Sequence, residues 1–191
     1  AYSNSELRRI ARRSFINFAT GWFELPLSFL MTNENSRYVL ELVNLEDFQK
    51  ATHQGTGTVF LCLHLGNFEL LGILSVLWKL PPRHGIGKRI QSAWLRRAWE
   101  KILQAFQFNV IYSHGAIPKI CEALGKGDIV ATMTDQRMHS GRGIFVDFMG
   151  KPARTSNLTA TLASITGAVP YFGYATRPGF GRLRFVFHGT V

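Results

Sequence analysis

Residues 59–77, VFLCLHLGNFELLGILSVL, allow few folds. The run Val59-Phe60-Leu61-Cys62-Leu63 has the length and residue types of a buried strand. It stops at His64, turns through Gly66, and resumes as an apolar segment of helix length that Asn67 can cap. Units of this kind build sheets of largely parallel strands, whose binding crevices lie at the carboxyl ends. His64 is expected at such an end. Glu69 falls in the first helical turn, where the positive end of the macrodipole favours a carboxylate.

The remaining chain repeats the alternation. Helices are expected over residues 7–22, 91–106, 117–124 and 156–165, and strands over 84–89, 109–112, 129–134, 169–175 and 183–187. Residues 37–50 read as a polar helix or helix pair, and 143–148 as a strand or extended loop. In the 91–106 helix, Ala93, Leu95, Ala98, Ile102 and Phe106 are expected inward. Pro178-Gly179-Phe180-Gly181 joins the last two strands as an antiparallel hairpin at one side of the sheet. The expected class is α/β: a central, mostly parallel (mixed) sheet flanked by helices, with a C-terminal hairpin. No linker or internal repeat divides residues 1–191, and a single domain is expected.

Lys and Arg number 22 against 12 Asp and Glu, a net charge of +10, which calls for an anionic partner. Nucleic acid is disfavoured: the cations are dispersed, outside any recognised motif, and the aromatics lie mainly in apolar runs. Two cysteines, Cys62 and Cys121, make neither a disulfide framework nor a metal cluster, so no metal is expected. No uncharged apolar run of about 18 residues is present, so no spanning helix is expected. Residues 7–22 instead set Leu7, Ile10, Ala11, Phe15, Phe18 and Trp22 beside Arg8, Arg9, Arg12 and Arg13. Such a basic amphipathic helix suits an anionic membrane surface, or a cover for the sheet with a solvated basic face.

His64 and Glu69 carry the first chemical reading. Five positions along one continuous helix differ by about 140° around the axis, so the two could not meet there. With His64 in the turn and Glu69 on the new helix they can. A carboxylate on one ring nitrogen fixes the tautomer and frees the other nitrogen to take a proton from a hydroxyl. Taken singly, His64 is an ordinary hydrogen-bonded strand-end histidine, and Glu69 merely complements the helix dipole.

The six residues HLGNFE resemble the H-x4-D/E motif of glycerolipid acyltransferases, in the HxGNxE form of the lipid A biosynthesis (lauroyl/myristoyl) acyltransferase family. Four further stretches match that family in order. They are Gly87-Lys88-Arg89, Thr134-Asp135-Gln136-Arg137, the run 143–155 (GIFVDFMGKPART) as its F-x-x-F-x-G-x-x-A-x-T block, and Ala168-Val169-Pro170. Where the family often has Asn-Pro after its arginine, Ile90-Gln91 follows Arg89. The resemblance runs from the first helix to the C-terminus.

The resemblance implies acyl transfer to an alcohol, with His64 as base and Glu69 holding the ring. Asn67, Arg89, Asp135, Gln136, Arg137 and Arg154 become substrate-binding candidates. No cofactor is implied: the donor is a substrate, an acyl-acyl carrier protein (ACP) or acyl-CoA thioester. The implied partners are acyl carrier protein, an anionic glycolipid (a lipid A precursor) and the membrane surface, at the cytoplasmic face of a Gram-negative inner membrane. The related phosphatidylinositol mannoside acyltransferases share the first motif, which leaves that glycolipid class as the alternative acceptor. An N-terminal membrane anchor and a C-terminal segment beyond this chain are expected.

Overall fold

The computed structural model describes residues 2–36, 40–138, 143–179 and 181–191. The chain opens with helix α1 (Asn4–Glu24), whose capping box pairs the Ser3 hydroxyl and amide with Glu6. A 3-10 turn (Leu25–Leu30) leads to β1 (Leu40–Val43) and α2 (Leu45–Thr52). Strand β2 (Thr58–Cys62) follows, then α3 (Phe68–Leu74), a 3-10 turn (Ser75–Trp78) and β3 (Arg83–Gly87). Next come α4 (Ala93–Ala105), β4 (Phe108–Tyr112), α5 (Ile117–Gly125) and β5 (Ile129–Met133). A ribbon of β6 (Ile144–Phe148) and β7 (Lys151–Thr155) precedes α6 (Leu158–Thr166), β8 (Val169–Gly179) and β9 (Arg182–Thr190).

Seven strands form one sheet in the order β1-β9-β8-β2-β5-β3-β4. Every neighbouring pair is parallel except the β8–β9 hairpin. Central β2 is buried on both faces, as its unbroken apolar run implies. Its side chains alternate: Phe60 joins Phe48, Trp78, Phe185 and Phe187 on one face, while Val59 meets Val130, Ile120, Leu124 and Leu162 on the other. Among the described residues, no helix is long and apolar enough to cross a membrane.

Four expectations change. Leu40–Val43 is a strand, not helix: it pairs in parallel with β9, bringing Leu40 and Leu42 opposite Leu183 and Phe185. Residues 37–39 of that same reading lie outside the described residues. The β8–β9 hairpin is consequently inside the sheet, not at its side, because β1 covers β9. Helix α4 buries Leu103, with Trp99 and Ile102 half-buried, while Ala93, Leu95 and Ala98 stay exposed. The Trp99-Ile102-Leu103-Phe106 stripe carries more apolar area than the alanine-rich one and takes the inner face. Finally, Lys151–Thr155 pairs with β6 as a separate antiparallel ribbon that the sequence reading left unassigned.

Candidate active site

The parallel register of the central strands builds the site. Cys62, the last residue of β2, is paired with Met133, the last of β5. Two residues further along each chain stand His64 and Asp135, so the two side chains leave adjacent strands at one level of the carboxyl edge. His64 Nδ1 lies 2.7 Å from Asp135 Oδ1, and the His64 amide donates to Asp135 Oδ2 at 2.8 Å. The other side of the imidazole meets Phe68 edge-on, with ring centroids 5.0 Å apart. About a third of the His64 side chain remains open to solvent.

Glu69 belongs to the same site through its charge rather than through a hydrogen bond. No hydrogen bond joins it to His64 among the described residues; the ring's carboxylate partner is Asp135 instead. Five residues after a strand-end turn, Glu69 has been carried onto α3, while the parallel register delivers Asp135 directly. Burial pushes the Glu69 carboxyl above its ordinary value, offset in part by its own backbone amide and by the charge of His64.

A cavity of about 340 Å³ is lined by Phe68 and Glu69 together with residues of β2, α3, β3, α4, β4 and β5. Its walls are mostly apolar, including Cys62, Gly72, Met133, Ala131, Trp99 and Phe108, with Lys88 and Tyr112 also among its lining residues. The volume is that of a small-molecule pocket, about 300–1,000 Å³. Arg83 also lines it, buried, with its guanidinium donating to the carbonyls of Leu80, Pro81, Phe106 and Gln107. Desolvation lowers the Arg83 pKa from its ordinary value. Burial pushes the Cys62 thiol up to about 12, far from a nucleophilic thiolate.

Asn67 caps α3 as expected, its side-chain oxygen accepting from the Leu70 amide at 3.0 Å. The same side chain is fully buried, and its amide donates to Glu24 Oε2 at 2.8 Å and to the Gly21 carbonyl at 3.3 Å. Glu24 is in turn gripped by the forked guanidinium of Arg177 on β8, one branch at 2.8 Å, and Arg177 Nε reaches Asn17 at 3.2 Å. Asn67 therefore ties α1 to the motif turn rather than facing an open surface. Gly66 completes the turn at φ +62°, where a side chain would meet the Ala175 carbonyl at 2.7 Å.

The other cations are spread. Gln136 and Arg137 continue from Asp135 on the exposed side, and Arg89 is exposed just past β3, close enough to influence Tyr112. Arg154 stacks over Phe145 at 4.7 Å on the β6–β7 ribbon, whose base is tied back by the Met138 amide donating to the Arg154 carbonyl. His64 and Asp135 are thus brought into contact, Glu69 beside them, and Arg89, Arg137 and Arg154 stand around the edge. Sequence reasoning missed Glu24 and Arg177, which no local signal marks. Lys88 and Tyr112, which line the cavity, lie within the 87–89 block and the 109–112 strand that it had identified, without a role assigned to them. Among the described residues, no group of three or more His, Cys, Asp or Glu is arranged to hold a metal ion.

Comparison with known proteins places the chain in a family. A phosphatidylinositol mannoside acyltransferase of Mycobacterium tuberculosis (strain CDC 1551 / Oshkosh) is 30% identical over 132 residues, or 65% of this chain. The aligned part is 40% of that relative's length, so the chain spans well under two thirds of it. The model of the bacterial lipid A biosynthesis acyltransferases matches residues 2–175. Over nearly its whole length, the chain belongs to the bacterial lipid A biosynthesis acyltransferase family.

Proposed function

We propose that the protein is an O-acyltransferase that moves a fatty acyl chain from an acyl-carrier-protein thioester to a hydroxyl of an anionic glycolipid. The observation that carries this reading is the His64–Asp135 contact, set against Phe68, which also lines an apolar cavity. Asp135 accepts from protonated Nδ1, which leaves Nε2 with its lone pair. Nε2 takes the proton of the acceptor hydroxyl as the oxygen attacks the thioester carbonyl. The tetrahedral intermediate collapses with cleavage of the C–S bond, and the imidazolium returns its proton to the leaving thiolate. Asp135 keeps the ring in the useful tautomer, and the Glu69 carboxylate favours the imidazolium electrostatically. The apolar cavity takes the acyl chain. Arg89, Arg137 and Arg154, with Gln136, face the anionic groups of carrier and glycolipid. Asn67 acts by holding the motif turn.

The acceptor is a lipid A precursor, acylated at the cytoplasmic face of the inner membrane, where α1 lies on the anionic surface. The mycobacterial relative supports a second reading, in which the acceptor is a phosphatidylinositol mannoside. Purified full-length protein offered acyl carrier protein and coenzyme A thioesters with each acceptor separates the two. Acyl transfer to one glycolipid, lost in His64→Ala, is expected. Transfer to neither, with thioester hydrolysis alone, would contradict the reaction.

A further inference from the structure

The β6–β7 ribbon serves neither the core nor the catalytic contact. Every residue of β6 is exposed, with Phe145 at 65%, Phe148 at 60% and Met149 at 89%. Successive residues of a strand point to opposite faces, so Ile144, Val146 and Phe148 line one face while Phe145 lies on the other. The face of Ile144, Val146 and Phe148 is apolar and exposed; on the other, Phe145 lies with Asp147 and with Pro152 and Arg154 of the paired strand.

The turn makes the same point. Met149 and Gly150 both adopt positive φ, +54° and +75°, the pattern of a tight hairpin turn in which Asn-Gly is ordinary. A methionine there sits in the disfavoured left-handed region and is the most exposed of the ribbon's large apolar residues, with no compensating burial. Asp147 is the one acid between residues 143 and 155, and its carboxylate accepts from the Gly150 amide at 2.8 Å. Lys151 flanks the tip, and the Arg154 guanidinium lies over Phe145. The ribbon is therefore apolar at its end and cationic behind it.

We infer that the tip of this ribbon dips into the interface of an anionic bilayer and sets the carboxyl edge of the sheet against it. The inference rests on the proposed reading of an enzyme at a lipid surface, and names the element that enters that surface. The ribbon's base is hydrogen-bonded at Met138, three residues from Asp135, so the catalytic contact follows the ribbon to the membrane. The last turns of α1 reach the same edge through Asn67, while its exposed Arg8, Arg9, Arg12 and Arg13 add positive charge. Penetration stops at the interface, about 5–10 Å deep, because free strand edges cannot be satisfied in hydrocarbon.

The test places an environment-sensitive fluorophore on Met149→Cys in a Cys121→Ser background; buried Cys62 stays unlabelled. With equimolar phosphatidylglycerol and phosphatidylcholine vesicles, a blue shift is expected, with quenching by lipids carrying a quencher near the headgroup. The same probe on Lys126→Cys, at the amino end of β5, stays in water. Vesicle-bound protein with a water-exposed probe at 149 overturns the inference while leaving the surface reading intact. Failure to float with these vesicles removes both. A shift that needs no vesicles and grows with protein concentration assigns the ribbon to a second copy and overturns the inference. In a second arm, Phe148→Asp with Met149→Asp is expected to weaken partitioning roughly tenfold or more. Turnover of short, soluble substrates and Tm should be unchanged. Wild-type partitioning of that variant contradicts the inference.

Discussion

Asp135 engages His64 twice, with one carboxylate oxygen 2.7 Å from the ring Nδ1 and the other accepting the backbone amide at 2.8 Å. One residue thereby fixes the ring and the chain turn that bears it. Asp135→Asn preserves the size and removes the charge, and its amide can present a donor to Nδ1. The tautomer then inverts. A fall in kcat of about 10³–10⁴ is expected with little change in Tm, read from steady-state acyl transfer and a thermal melt.

Glu69→Gln is expected to separate stability from activity. The Glu69 carboxyl is raised above its ordinary 4.5 mainly by burial. Below that value it is neutral in both folded and unfolded chains and costs nothing. As pH rises toward the raised folded value, the unfolded chain ionises first and stability falls; above it the penalty is constant. Glu69→Gln should therefore have a higher Tm than wild type at pH 7 and an equal one near pH 4, with lower kcat. Equal melts at both pH values would contradict the burial argument.

The Arg177–Glu24–Asn67 chain holds α1 against the motif turn. Arg177→Ala leaves Glu24 without its fork and Asn67 with a loosened acceptor. A loss of about 1.5–3 kcal/mol is expected, as for hydrogen bonds to charged groups. Hydrogen exchange should quicken in residues 17–24 and in the 64–70 turn together. Exchange confined to α1 would show that the turn stands without it.

Helix α1 has no buried residue and carries Arg8, Arg9, Arg12 and Arg13 with no carboxylate partner among the described residues. Replacing all four by Gln should weaken binding to phosphatidylglycerol vesicles by about 1 kcal/mol per charge near the surface. The difference should shrink as salt is raised. Equal binding at low salt would leave α1 as a cover for the sheet.

The strand, the turn and the Asn67 cap were legible because each depends on near neighbours: an apolar run, a glycine, a capping side chain. The partner of His64 was not. Sequence distance favours Glu69, five residues on, whereas the ring bonds Asp135, 71 residues on, and only the pairing of Cys62 with Met133 makes those two neighbours. The same limit hid Glu24 and Arg177, 153 residues apart. Strand β1 was missed because its four residues gain their reason from β9 at the far end of the chain. The exposed ribbon was read only as one strand or loop, since Ile144–Phe148 lacks the regular polar alternation of a strand facing water.

The most direct measurement is the turnover of full-length His64→Ala on an acyl-carrier-protein thioester and its glycolipid acceptor. A loss of about 10³-fold or more is expected with an unchanged melt, because the ring is part-exposed at a strand end. Wild-type turnover of that variant would contradict the assignment of His64 as the base.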